Sequence, residues 1–148
     1  MLRVTADTTV FVSALARQGP GASKVLLAYV EGKFALITSE PILQEIRRSL
    51  EAEGADVAEI NRAEIGLRNS AIIVTPTEAI TACRDADDNK ILEAAVAGDA
   101  DLIVTADKDL RVLSPFRRHR GHHRQWVSAE AGHSQAKVIL SPHLMTEG

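Results

Sequence analysis

Four short apolar runs punctuate this chain: "LRVTA" (2–6), "KFALIT" (33–38), "AIIVT" (71–75) and "DLIVTA" (101–106). Each is separated from the next by far more chain than a hairpin needs. Antiparallel neighbours can be joined by two residues, whereas parallel neighbours require a crossover of a dozen or more, usually a helix. The intervening stretches supply such helices. "TVFVSALA" starts one directly after the first run. "ASKVLLAYVEG" (22–32) follows a "GPGA" break (19–22) and closes on Gly32. "SEPILQEIRRSLEAEG" (39–54) is amphipathic, with Ser39 as N-cap, Pro41 in the first turn and a stripe of Ile42, Leu43, Ile46 and Leu50. "DVAEINRAEIGLRNS" (56–70) and "NKILEAAVAG" (89–98) complete the set. The alternation predicts an α/β fold, a three-layer α/β/α sandwich around a central, mostly parallel sheet of about five strands.

The remainder of the chain is less patterned. "DKDLRVL" (107–113) reads as the start of a short helix, and "KVIL" (137–140) as a fifth strand. Between them, 114–136 has no clear period and reads as an atypical inserted loop within one domain of 148 residues. Aromatic residues make up only 3%, so the core has to be built from Val, Ile, Leu and Ala, which suits parallel strands under Ala-rich helices. The single cysteine, Cys83, forms no internal disulfide, and no apolar run reaches the roughly 18 residues of a membrane span. The expectation is a soluble cytoplasmic protein that does not engage a membrane.

Formal net charge is −3, which by itself points to no nucleic-acid partner, but the charge is unevenly spread. Acids gather in "CRDADDNK" and "TADKD", and bases in "FRRHRGHHR". In a sheet of this class ligands collect outside the carboxyl ends of the strands. Asp7 ends the first strand and Asp107 the fourth. Asp88, with Asp85 and Asp87, lies at or before the start of the helix leading into the fourth strand, three residues ahead of Ile91. Glu45 sits at the edge of its helix's apolar stripe. Singly, each reads as a cap, a turn residue or a solvated acid. Together they aim four carboxylates at one rim. Such carboxylates repel one another, and a divalent cation relieves the repulsion. Oxygen-only donors favour Mg²⁺ or Mn²⁺ over Zn²⁺, and such ions suit phosphodiester hydrolysis.

The order strand-Asp-Thr, "SEPILQEIRR", "CRDADDNKILEAA" and "ADLIVTADKDL" resembles PIN-domain ribonucleases, in particular the branch of VapC-type toxins from toxin–antitoxin pairs. The resemblance covers about residues 2 to 113. It implies metal-dependent endonucleolytic cleavage of RNA, with Asp7, Glu45, Asp88 and Asp107 as catalytic acids and Asp7, Asp88 and Asp107 as ligands of Mg²⁺ or Mn²⁺. Thr9, Thr105 and Asp85 would stand behind them, with Asp87 and Asp109 as alternative acids. It further implies an RNA substrate, a small antitoxin partner and a homodimer. Two features depart from the family pattern. Thr9 stands where Asn is usual, two residues after the first acid, and "GHHRQWVSAEAGHSQA" intervenes before the last strand. In that region Arg117, Arg118, Arg120 and Arg124 are candidate RNA-phosphate contacts and Trp126 a candidate stacking platform, a reading of equal weight with a solvated loop. His122, His123, His133 and His143 match no zinc spacing.

Other classes compete. Phosphotransferases of the haloacid-dehalogenase type use Asp-x-Asp after the first strand, and Thr9 removes their second acid. A phosphoacceptor receiver carries its acid after a middle strand. A PIN-like module that binds RNA or a protein without cleaving stays open as the alternative, with Thr9 as its support.

Overall fold

The computed structural model of the chain describes residues 1–77, 86–106, 110–115 and 126–128, with side chains over 1–77 and 89–106. The elements run β1 (Arg3–Ala6), α1 (Thr8–Leu15), α2 (Pro20–Val30), β2 (Ala35–Thr38), α3 (Glu40–Ala52), α4 (Val57–Ser70), β3 (Ile72–Ile73), α5 (Ala86–Ala97), β4 (Leu102–Ala106), β5 (Leu110–Pro115) and β6 (Trp126–Ser128). They form one sheet in the order β3-β2-β1-β4-β5-β6. The first four strands in that order are parallel, and β5 and β6 extend the sheet antiparallel beyond β4. The expected layered α/β fold around a mostly parallel sheet is met, with six described strands.

The register fixes which residues share a face. Thr5 pairs with Ile37 of β2 and Ile103 of β4, while Val4 pairs with Leu36 and Leu102. The chain steps from β1 to β2 to β3 in one direction, then returns to lay β4 on the other side of β1. With right-handed crossovers, α1 to α4 cover one face and α5 the other. In α5, Leu92, Ala94 and Ala95 are fully buried, and the small residues let the helix approach the sheet closely. Gly98, just past its end, has no room for a Cβ, which would come 2.3 Å from Ile37 Cγ2. On the opposite face Val10, Phe11, Ile42, Leu43, Leu50 and Ile60 form the core under Val4 and Leu36. No helix among the described residues is long and apolar enough to cross a membrane.

Several expected boundaries move. The described part of "DKDLRVL", from Leu110, is not helical: it is β5, antiparallel to β4, pairing Leu110 with Ala106 and Val112 with Val104. Leu110 and Val112 alternate with Arg111, a period-two signal, and pairing with the buried β4 outweighs any local helical preference. Trp126–Ser128, inside the stretch without sequence periodicity, is β6. Pro20, read as part of a break, is the first residue of α2, where its missing N–H is not needed. Helix α5 begins at Ala86, about a turn before the expected Asn89, and β3 shrinks to two residues. The "KVIL" strand at 137–140 lies outside the described residues.

Candidate functional site

Asp7 closes β1 and is the N-cap residue of α1, with extended backbone at ψ 153°. Its N–H donates to the Val104 carbonyl at 2.8 Å, so it continues the β1–β4 ladder. The next pair in that register sets Asp7 beside Thr105. The Thr105 hydroxyl donates to Asp7 Oδ2 at 2.8 Å. Thr9 Oγ1 lies 3.3 Å from the same oxygen and 3.3 Å from Thr105 Oγ1. Thr9 Oγ1 in turn accepts from the Ala106 N–H at 2.9 Å. That acceptor role directs the Thr9 proton toward Asp7 or Thr105. The two threonines therefore clamp one carboxylate oxygen of Asp7 and tie the start of α1 to the end of β4.

Only 9% of Asp7 is exposed. Burial pushes its carboxyl above the ordinary value of 3.8, against hydrogen bonds from the Thr105 and Thr9 hydroxyls and weaker pulls from the backbone N–H groups of Thr9 and Thr8. Those amides face the carboxylate without forming a helix cap of ordinary geometry. A charge so placed is under-solvated, and a cation at the rim would offset that cost.

The position is the sheet's switch point. The connections leaving β1 and entering β4 run in opposite directions, which opens a crevice outside their carboxyl ends. Asp88 belongs to the first turn of α5. The 12 residues of α5 span about 18 Å and the 5 of β4 about 17 Å. A short connection joins the end of α5 to the start of β4, so the first turn of α5 lies level with the carboxyl rim that carries Asp7. The Asp88 side chain is not among those described. Asp107 follows β4 immediately. It lies outside the described residues, as do Asp85, Asp109, Arg117, Arg118, Arg120 and Arg124.

Glu45, in the second turn of α3, is half-buried, with 21% of its side chain exposed. Its own helix engages it: Arg48 Nη2 lies 3.4 Å from Oε2, and the Ser49 hydroxyl donates to Oε1 at 3.4 Å. Ser49 also lines a polar groove of about 300 Å³ between α1 and α3, together with Thr8, Thr9, Val12 and Ala106. The groove thus contains one hydrogen-bond partner of Asp7 and one of Glu45. Among the described residues no three of the Asp, Glu, His and Cys side chains gather into a metal cluster.

Sequence reasoning missed three features. Ser49 four residues after Glu45 was legible as a same-face pair. Arg17 pairs with Glu53 at the edge of the groove, a contact across α1 and α3 that no local pattern announces. Ser39 occupies the expected N-cap position but does not cap: its hydroxyl is buried without a partner among the described residues, as is that of Thr38. Carrying the β1–β2 register forward by two residues sets Ser39 beside Asp7.

The sequence profile of the PIN domain family matches residues 3–109. The chain belongs to the PIN domain family. This family is generally one of nucleases. The chain is also 33% identical over 118 residues, 74% of its length, to an uncharacterized protein of Methanocaldococcus jannaschii, 73% of which is covered. No solved structure matches significantly. In this PIN domain the Thr9 hydroxyl makes contacts on both sides, toward Asp7 and toward the Ala106 amide.

Proposed function

We propose that this PIN domain is a metal-dependent endoribonuclease that hydrolyses RNA phosphodiester bonds. The carrying observation is Asp7: a carboxylate buried at the switch point, with one oxygen clamped by two hydroxyls and its charge under-solvated. The donor set fits Mg²⁺ or Mn²⁺. The described groups at the rim are hard oxygens, and the Ser39 hydroxyl, without a hydrogen-bond partner among the described residues, directly follows β2 at the same rim, where it suits an ordered shell. Asp7, with Asp88 and Asp107, would hold the ion, and Glu45 would complete the acid set. When bound, such an ion supplies charge neutralisation on the phosphate and lowers the pKa of water.

The chain's own residues set the stage. Thr105 and Thr9 fix the orientation of the Asp7 carboxylate before any ligand arrives, so little reorganisation is needed on binding. Their hydroxyls also favour its ionised form against the effect of burial. Glu45 is held on α3 by Arg48 and by Ser49, and Ser49 lines the groove. The sheet rim gives the site rigid elements, so substrate phosphate meets a preformed constellation.

The toxin role, with a small antitoxin covering the acidic site and a homodimer, extends this reading on the strength of the resemblance to VapC-type toxins. The test is incubation of purified protein with labelled single-stranded RNA in Mg²⁺, Mn²⁺ or EDTA. Endonucleolytic products that need a divalent ion support the proposal. A folded protein that cuts none of several RNAs in either ion would leave the non-cleaving binding module as the better account.

A further inference from the structure

The groove between α1 and α3 has a composition that the acid site does not explain. Thr8, Thr9 and Ser49 offer hydroxyls, Val12 and Ala52 give it an apolar floor, and its charged lining residues are Arg17 and Glu53. These two are ion-paired, with 62% and 32% of their side chains exposed. An exposed pair of this kind is weakly held and readily exchanged for another partner. The planar fork of Arg17 matches a phosphate as well as a carboxylate. At about 300 Å³ the groove is at the lower limit of sites that bury a small organic group. Its lining residues Thr9 and Ser49 hydrogen-bond Asp7 and Glu45, so the groove adjoins the acid site.

Resting on the nuclease reading, we propose that this groove receives the RNA strand flanking the scissile phosphate. Arg17 binds a backbone phosphate there, and Glu53 is the resident anion that the phosphate displaces. The acids at the rim repel a polyanion, and a cation beyond α1 gives the strand a counter-charge away from them. The helix sets the spacing: the 8 residues of α1 span about 12 Å, a distance a short single strand readily covers.

The two partners carry opposite predictions. A labelled single-stranded RNA is titrated in EDTA, so that binding is read without turnover, by fluorescence anisotropy at several salt concentrations. Arg17→Gln should weaken binding about five-fold and flatten the log–log salt dependence by about 0.7, the value of one phosphate contact on a single strand. Glu53→Gln should strengthen binding two- to five-fold, about the factor an exposed pair withholds. Lys24→Gln and Glu59→Gln make the same charge changes on exposed residues of α2 and α4 and correct for overall charge. Opposite shifts beyond those controls support the proposal. Shifts of the same sign, shifts no larger than the controls, or no RNA binding by the unsubstituted protein overturn it. Cleavage in Mn²⁺ separates the two readings. Metal-dependent cutting with KM unchanged in both groove variants leaves the nuclease and removes the groove. Opposite affinity shifts without cutting leave the groove and remove the nuclease.

Discussion

Replacing Thr9 with Val isolates what its hydroxyl does. Val keeps the β-branched shape, so the start of α1 retains its packing and loses only polar contacts. The Ala106 N–H, in a residue 6% exposed, loses its acceptor at 2.9 Å. An orphaned buried donor costs about 1–3 kcal/mol. At about 4 °C per kcal/mol for a chain of this size, the melting temperature should fall by roughly 4–12 °C. Asp7 Oδ2 also loses its neighbour at 3.3 Å and is left with Thr105. Loss of such a supporting hydrogen bond typically weakens metal affinity or activity by about 10–100-fold. Thr9→Ser restores the hydroxyl and should recover most of both effects. Thr9→Asn tests whether the residue usual in the family holds both partners. Thermal denaturation in EDTA reads the first effect, and calorimetric titration with Mn²⁺ reads the second without depending on turnover. A valine variant as stable as the parent, binding Mn²⁺ equally well, would refute the clamp.

Asp7→Asn should stabilise the metal-free protein at neutral pH, because it removes a charge that burial disfavours. The sign follows from linkage. The folded-state pKa lies above 3.8, so the folded state binds the proton more tightly, and the charged form destabilises the fold at every pH above that pKa. The stability gap between variant and parent should be flat above the folded pKa and close as pH falls through it toward 3.8, which denaturant melts across acid pH would show. Gly98→Ala would drive a Cβ to 2.3 Å from Ile37 Cγ2 and 3.2 Å from the Ala94 carbonyl, and should cost about 1–3 kcal/mol in urea unfolding. Glu45→Gln should lower RNA cleavage at least about tenfold while changing stability by no more than about 0.5 kcal/mol, since the acid is partly exposed and held by its own helix.

Most of the parallel sheet was legible because its strands announce themselves as β-branched runs spaced by helical segments. Ile42, Leu43, Ile46 and Leu50 form a stripe that periodicity alone identifies, and all four are buried. The antiparallel return at Leu110 was not legible in this way. Its alternation is short, and the partner that decides it, β4, supplies the ladder from elsewhere in the sequence. At the site, Asp7 could be proposed from its place at the end of a strand, whereas Thr105 was implied only by the resemblance to PIN-domain ribonucleases. The bond from the Ala106 amide to Thr9 spans 97 positions, and nothing near Thr9 reveals it. The short Thr9 side chain reaches both Asp7 and the Ala106 amide because β4 comes close to the start of α1. The Arg17–Glu53 pair and the orphaned Ser39 hydroxyl likewise depend on how helices and strands are set against one another.

The central claim is that Asp7 anchors a metal-dependent cleavage site at the β1–β4 rim. The most direct measurement compares cleavage of labelled RNA by the parent protein and by Asp7→Asn, each purified identically, shown folded by circular dichroism, and assayed in Mn²⁺ and in EDTA. The account predicts cutting by the parent in Mn²⁺ alone and none by the variant in either condition. Equal cutting by both proteins, or cutting that persists in EDTA, would contradict it.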